Sequence, residues 1–303
     1  MVGVGLSLTS AFGSRTPEDA IEQMVARTRA GASAGLDFLT VGDHHNTRHL
    51  YVQNVPIMGR LVAEWPADPD RPIGCLFLLP LWNPLLVAEQ VSTLAAMHPG
   101  SFVLQTGIGW GESQFAAMNA HFNRRGHDLE ESVEVIAALF SGESVDSQRY
   151  GITGARLAMK PTRPVQWWMG GGVDIALDRV ARLGASLYVA PGSPATVGDV
   201  IDRFMSICAR RSHEPQRVVV RQDVFVADDE VTARRQLDQI FASGYRGMAP
   251  AEVAVGTVAQ VTEHFAELSN LGASDIAVRQ MSVSDDLAMR SVELLGQVRA
   301  SLT

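Results

Sequence analysis

Asp43, His44, His45 and Asn46 close the segment GLDFLTVGDHHN (residues 35–46), and these residue types in this order could move a proton. An imidazole titrates near neutral pH, so one held beside a carboxylate at a ligand-facing position is a candidate for proton transfer. What places the cluster is the apolar run before it. Phe38, Leu39, Thr40 and Val41 lie between Gly35 and Gly42 and read as a short strand covered on both faces. In α/β folds the carboxyl end of such a strand is where ligands bind and chemistry occurs. The alternative is that one histidine caps the next helix and the other is solvated, and both readings stay open on these residues alone.

Three further segments could contribute to a site. IGCLFLLPLWNP (residues 73–84) is an apolar strand running into a proline-started helix and offers almost no polar side chains. It would form barrel core, or the flat apolar face that a planar aromatic cofactor needs. LQTGIGWGES (residues 104–113) places Gly107, Gly109 and Gly111 just after a strand, where backbone can approach a ligand closely. Its spacing matches neither a dinucleotide-binding fingerprint nor a P-loop. WWMGGGVD (residues 167–174) ends a strand in Gly170, Gly171 and Gly172, and a helix is expected to start near Asp174. That geometry aims free backbone amides at an anion such as a phosphate, unless the glycines serve only a tight turn.

Other chemistries are disfavoured. Adjacent residues on an extended segment point in opposite directions, so His44 and His45 would not chelate one ion. His49, His98, His121, His127, His213 and His264 end no expected strand, so no catalytic metal is expected. No Gly-x-Ser-x-Gly elbow is present. The formal charge of −8 and the sequence pI near 5.5 argue against a nucleic-acid or anionic-membrane surface. Cys75 and Cys208 are too few for a disulfide framework or a cysteine metal site, which fits a reducing cytoplasm. The first residues, MVGVGLSLT, have no basic region and read as a strand, not a signal peptide, and no apolar run is long enough to span a bilayer.

The elements that must position these residues alternate along all 303 residues, of which 46% are hydrophobic and 19% charged, with a mean hydropathy of +0.06. Strands are expected near 2–9, 37–42, 73–79, 102–107, 166–170, 186–190, 218–226 and 275–279, with helices such as 17–34, 84–97 and 128–140 between them. Thr16-Pro17 and Asn83-Pro84 carry helix-start signals, while Gly31, Gly35, Gly184 and Gly272 punctuate helix ends. Eight such repeats point to a single (β/α)8 TIM barrel over residues 1–303, with a doubly wound open sheet as the alternative. Two stretches break the rhythm: 141–164, after the fourth helix, reads as an insertion and 243–257, after the seventh strand and its helix, as a second long connection.

Taken in order, these stretches resemble the bacterial luciferase-like superfamily of flavin- and deazaflavin-dependent oxidoreductases. The resemblance covers nearly the whole chain, through GLDFLTVGDHHN, the block from RPIGCLF to GWGESQF, FNRRGHDLEESVEVIAALFSGE, WWMGGG and GTVAQVTEHFAELSNLGASDIAVR. It implies a TIM barrel that binds FMN or coenzyme F420 at its C-terminal face. A non-prolyl cis peptide in the third strand, common in such families, would fall at Leu76–Phe77, with Leu78 following against the ring. His44 matches the family's proton-transfer histidine, and Asp43 stands beside it. Gly107 and Gly109 would line the cofactor. Gly170, Gly171 and Gly172, followed by Val173, match the loop that receives its phosphate. His45, Asn46, Trp82 and Trp110 would then border the substrate pocket.

The resemblance also sets limits. Sugar-phosphate dehydrogenases of the superfamily have Gly-Thr-Gly-Glu where this chain has Gly107, Ile108, Gly109 and Trp110, which argues against that substrate. The histidine pair is similar to the monooxygenase branch and Gly-Asp-His to the deazaflavin branch. The favoured expectation is hydride transfer between coenzyme F420 and a small organic substrate. The alternatives are an FMN-dependent monooxygenase using reduced flavin and O2, and a non-catalytic flavin-binding protein. A homodimer, and a separate reductase supplying reduced cofactor, are implied by the resemblance only.

Overall fold

The computed structural model describes residues 2–13, 15–242, 244–281 and 284–302. Eight parallel strands form an α/β TIM barrel: β1 (Gly3–Leu8), β2 (Leu39–Val41), β3 (Ile73–Phe77), β4 (Phe102–Thr106), β5 (Gln166–Gly170), β6 (Ser186–Val189), β7 (Val218–Ala227) and β8 (Asp275–Gln280). Their order is β6-β5-β4-β3-β2-β1-β8-β7, and a β6–β7 pairing closes the ring. The chain groups into two compact units. One comprises the residues up to Thr9, Ile21–Thr40 and everything from Trp168 onward; the other comprises Ser10–Ala20 and Val41–Trp167.

In the first unit, β8 pairs with β1 from Asp275 opposite Gly3, and with β7 from Asp275 opposite Val219. Gly5 is required on β1 because a Cβ there would stand 2.4 Å from the Phe38 ring. Phe38 in turn meets Trp168 edge-on at 5.1 Å, and Trp168 stacks on Tyr188 at 6.3 Å. Helix α1 (Pro17–Ser33) begins in the other unit and ends in this one; Thr16 Oγ1 accepts the Asp19 N–H, as its start signal requires. Gly31, expected at a helix end, lies inside α1, where a Cβ would come 2.5 Å from Leu6 Cδ1. Gly35, at φ +74°, ends that segment instead.

β7 is ten residues long, and only its first half pairs with β6. From Val224 onward it pairs with an added strand, Ala254–Thr257, which lies inside the stretch expected to be a long connection. Four residues with a central glycine are too short to announce a strand by periodicity. Ser243, at the start of that stretch, lies outside the described residues.

In the second unit, β3 and β4 pair in register from Ile73–Phe102 to Phe77–Thr106. Helix α2 (Asn54–Leu61), absent from the sequence reading, follows a small antiparallel pairing of Ala11–Phe12 with Leu50–Tyr51. Helix α3 (Pro84–Ala96) is N-capped by Asn83, whose side chain accepts from Leu85 N. Helix α4 (Glu112–Ala117) is short, and α5 (Arg125–Ser141) leads into a hairpin of Val145–Ser147 with Ile152–Ala155. That hairpin is fixed by buried Asp128, which accepts Arg149 Nε at 3.0 Å and Nη2 at 2.8 Å. The remaining helices belong to the first unit: α6 (Asp174–Arg182), α7 (Pro194–Arg210), α8 (Glu230–Phe241), α9 (Val258–Asn270) and α10 (Asp285–Ser301).

One expectation fails outright. No cis peptide bond occurs among the described residues, so Leu76–Phe77 is trans. The carbonyl groups explain the geometry: Leu76 O accepts Asn54 Nδ2 at 2.7 Å and Phe77 O accepts Gly107 N at 3.1 Å, so both are satisfied with the strand extended.

Candidate active site

The polar cluster after β2 is built entirely within the second unit. Asp43 is buried, and its Oδ2 accepts two neutral donors, the Leu78 N–H and the Trp82 indole N–H, each at 2.8 Å. Its Oδ1 lies 3.1 Å from His45 Nε2, at ion-pair distance but off the hydrogen-bond axis. His45 is further enclosed by the Trp82 ring, edge-on at 5.3 Å, and its backbone N–H donates to Gln114 Oε1 at 2.9 Å. Asp43 is therefore an anchor that joins the end of β2 to the end of β3, with the His45 imidazole beside it.

His44 stands differently. It is half-buried, its ring meets Tyr51 edge-on at 5.8 Å, and no hydrogen bond to its ring nitrogens occurs among the described residues. Its carbonyl accepts Gln53 Nε2 at 3.3 Å, which fixes the backbone while leaving the imidazole unengaged. The next turn is tight. Asn46 takes a left-handed φ of 50°, and its amide donates to Ser113 O at 3.3 Å.

Leu78, Leu81 and Phe115 form a buried apolar patch, extended by Leu76, Trp82 and Phe122. Phe77 is fully buried and packs edge-on to Trp82 at 5.3 Å. Over this patch run the glycines after β4. A Cβ at Gly107 would meet Leu78 Cδ2 at 3.2 Å, and Gly109 has a φ of +69° that disfavours any side chain. Trp110, expected to border a pocket, is 82% exposed. Gln114 was not anticipated. It is buried, one side of its amide holds His45, and its Nε2 has no partner. Its signal was visible only as a polar residue in the first turn of an amphipathic segment.

Cys75, on β3, is also buried here. Burial, and secondarily the Asp43 charge, push its thiol well above the usual range, so it stays protonated and is no nucleophile.

The glycine segment after β5 belongs to the first unit, and its three residues divide. Gly170 is paired in the sheet opposite Tyr188, and the Gly171 N–H donates to Tyr188 O at 3.2 Å, so that amide is already spent. A Cβ at Gly171 would meet Leu187 at 3.1 Å and Leu177 at 3.2 Å, whereas Gly172 has open space around it. Val173, 62% exposed, precedes the first turn of α6, whose leading N–H groups have no intrahelical partner. Arg203 adds a cation beside that turn, donating to Gly172 O at 3.2 Å and to Asp174 Oδ1 at 2.7 Å. The anion-binding expectation thus narrows to Gly172, Val173 and the start of α6.

The closed ring of parallel strands with helices between them defines the class: an α/β barrel. The chain belongs to the luciferase-like monooxygenase family, whose model matches residues 1–275. Among curated relatives, an F420-dependent glucose-6-phosphate dehydrogenase of Tsukamurella paurometabola is 26% identical over 179 residues, covering 56% of this chain and 53% of that protein. The chain spans about half the length of the curated relatives it matches. Solved structures share the fold end to end. An F420-dependent secondary alcohol dehydrogenase in complex with an F420–acetone adduct is 17% identical with a TM-score of 0.79, covering 100% of this chain and 99% of that one. The oxygenating constituent of 3,6-diketocamphane monooxygenase from Pseudomonas putida, in complex with FMN, is 14% identical with a TM-score of 0.81, covering 98% and 97%. Among the described residues no helix is long and apolar enough to cross a membrane, and no group of acidic, histidine and cysteine side chains could hold a metal.

Proposed function

We propose that this family member is a two-electron oxidoreductase that takes coenzyme F420 and passes hydride between it and a small organic substrate. The observation that carries the reading is the division between the two histidines: His45 Nε2 lies 3.1 Å from Asp43, while the ring nitrogens of His44 have no hydrogen bond among the described residues. The residues fit a planar ring. Leu76 and Leu78 offer an apolar floor, Gly107 and Gly109 keep side chains out of the space above it, and Gln114 Nε2 is a buried donor still lacking an acceptor.

When bound, the deazaflavin supplies the hydride chemistry. The chain's own part is to orient and to move a proton. Asp43 locks the β3 turn through Leu78 N and Trp82 Nε1, which holds the apolar floor in place. A ring nitrogen of His44 gives up or receives the proton that accompanies hydride at a carbonyl or alcohol. Separately, Gly172 and the first turn of α6, with Arg203 beside them, are assigned the cofactor's phosphate.

The competing reading is FMN-dependent monooxygenation, favoured by the description of the matching family. Anaerobic turnover tests the choice. Substrate conversion with F420 in the absence of oxygen supports the proposal; turnover that requires both reduced FMN and oxygen refutes it. Replacing His44 by Ala should slow turnover with cofactor affinity roughly retained.

A further inference from the structure

A second buried carboxylate, in the first unit, sits among cations. β7 carries Arg221 and Asp223 two residues apart, so both point to one face of the strand, and the register sets Arg279 of β8 opposite Asp223. Asp223 is fully buried; Arg221 Nη2 lies 3.2 Å from its Oδ1. The connection after α8 adds a third guanidinium. Residues 245–248 form a tight turn in which the Met248 N–H donates to Tyr245 O at 2.8 Å, with Arg246 at φ 53° and Gly247 at φ 74°. Two consecutive left-handed residues define a type I′ turn, and a non-glycine residue there costs about 1 kcal/mol or more. The turn is tied down by Tyr245, whose hydroxyl donates to Asp223 Oδ2 at 2.7 Å and whose ring packs on Phe241. This brings Arg246 Nε to 3.9 Å from the same oxygen.

Two guanidinium groups therefore share one carboxylate, and a third, that of Arg279, belongs to the residue opposite it on the neighbouring strand. Glu252, the nearest other acid in this connection, is occupied by the Ala249 N–H at 2.6 Å. The Arg279 side chain makes no hydrogen bond or ion pair among the described residues, and Arg221 Nε is buried without a partner. Burial first, then the charges of Arg279 and Arg221, push the Arg246 guanidinium below its ordinary range. A purely structural role for Asp223 needs one arginine; two more add repulsion and desolvation cost without return.

We infer that Arg221, Arg246 and Arg279 form a binding site for an anionic group, a carboxylate or phosphate, and, on the oxidoreductase reading above, that the substrate carries it. Guanidinium forks match both groups in a bidentate manner. Asp223 and Tyr245 act here as positioning residues that hold the cations in register before the anion arrives.

The test is a titration of the full-length, cofactor-free chain with inorganic phosphate and with acetate, followed through the arginine side-chain N–H resonances. The Nε signals of Arg221, Arg246 and Arg279 should shift saturably while that of Arg290, paired on the surface with Asp228, stays still. Arg246→Gln and Arg279→Gln should each weaken this response about tenfold or more, with an unchanged or raised melting temperature because like-charge repulsion is relieved. Absence of a saturable shift at these three resonances overturns the inference. So does a variant that melts lower and binds equally well. Repeating the titration with saturating F420 assigns the source: an unchanged phosphate response supports a substrate group, and its loss overturns that assignment in favour of an anion on the cofactor. Because the first titration uses no cofactor, it stands or falls separately from the F420 reading.

Discussion

Asp43 and Asp223 are both buried carboxylates, one in each unit, Asp43 just past the end of β2 and Asp223 in the middle of β7, and their surroundings differ in kind. Asp43 is met by a backbone N–H and an indole N–H at Oδ2, with one largely enclosed imidazole beside Oδ1 and no guanidinium among the described residues. Asp223 is met by a phenol and two guanidinium groups, with a third guanidinium opposite it on the neighbouring strand. Neutral donors turn a carboxylate into a fixed anchor that keeps its charge local. A surplus of cations turns it into a spacer whose neighbours still want an anion. The first arrangement suits proton handling beside an apolar floor, and the second suits recognition.

The largest expected effects separate chemistry from binding. His44→Ala should lower kcat by about two to four orders of magnitude with a smaller change in KM, the range for loss of a general acid or base. Arg279→Gln should instead raise KM for an anionic substrate and leave kcat nearly intact. Steady-state kinetics on the two variants would break the comparison if both parameters moved alike in both.

Stability should divide in the same way. Asp223→Asn leaves clustered arginines without a counter-charge and should cost about 3 kcal/mol or more in urea unfolding, recoverable in part by phosphate. Asp43→Asn keeps an acceptor for Leu78 N and Trp82 Nε1 and should cost about 1 kcal/mol. Equal losses, or no rescue by phosphate, would erase the distinction.

A smaller contrast lies within the glycine segment. Gly171→Val meets Leu187 and Leu177, so it should destabilise the fold by about 1–3 kcal/mol whatever the ligand. Gly172→Ala meets nothing and should leave unfolding unchanged. A loss of F420 affinity in Gly172→Ala at full stability would sharpen the phosphate assignment to that residue.

The smallest effect is a pH dependence away from both carboxylates. His98 Nδ1 accepts the Gly100 N–H at 3.0 Å and Nε2 faces Pro66 O at 3.0 Å, an arrangement that uses the neutral ring. Burial lowers its value below the ordinary 6.5. The unfolded chain then takes up this proton first as pH falls, so the stability contributed by neutral His98 is present above pH 6.5 and is lost on acidification below it. Unfolding curves of the wild type and His98→Gln should converge at low pH; a constant gap would exclude this source.

The barrel was legible because most strands are near-continuous apolar runs and several helices open with a cap that the structure uses, as at Thr16 and Asn83. The strand end at Asp43 was legible for the same reason. Less so were elements without period: α2, the strand Ala254–Thr257 and the small pairing of Ala11–Phe12 with Leu50–Tyr51. The arginine cluster did leave a trace, since Arg221, Gln222 and Asp223 interrupt an otherwise apolar strand, yet nothing local says that Arg246 and Arg279 join them.

Sequence by itself determined the alternation of elements, the family resemblance and the residue types at each strand end. These are local properties, set by side-chain period, capping and glycine placement over a few residues. Tertiary structure alone decided which histidine lies beside Asp43, that the Gly171 amide is consumed by Tyr188, that Leu76–Phe77 is trans, and that Arg221 and Arg246 meet at Asp223 with Arg279 in register opposite. Each of those depends on where a partner dozens of residues away places one atom, and hydrogen bonds and ion pairs act over only a few ångströms.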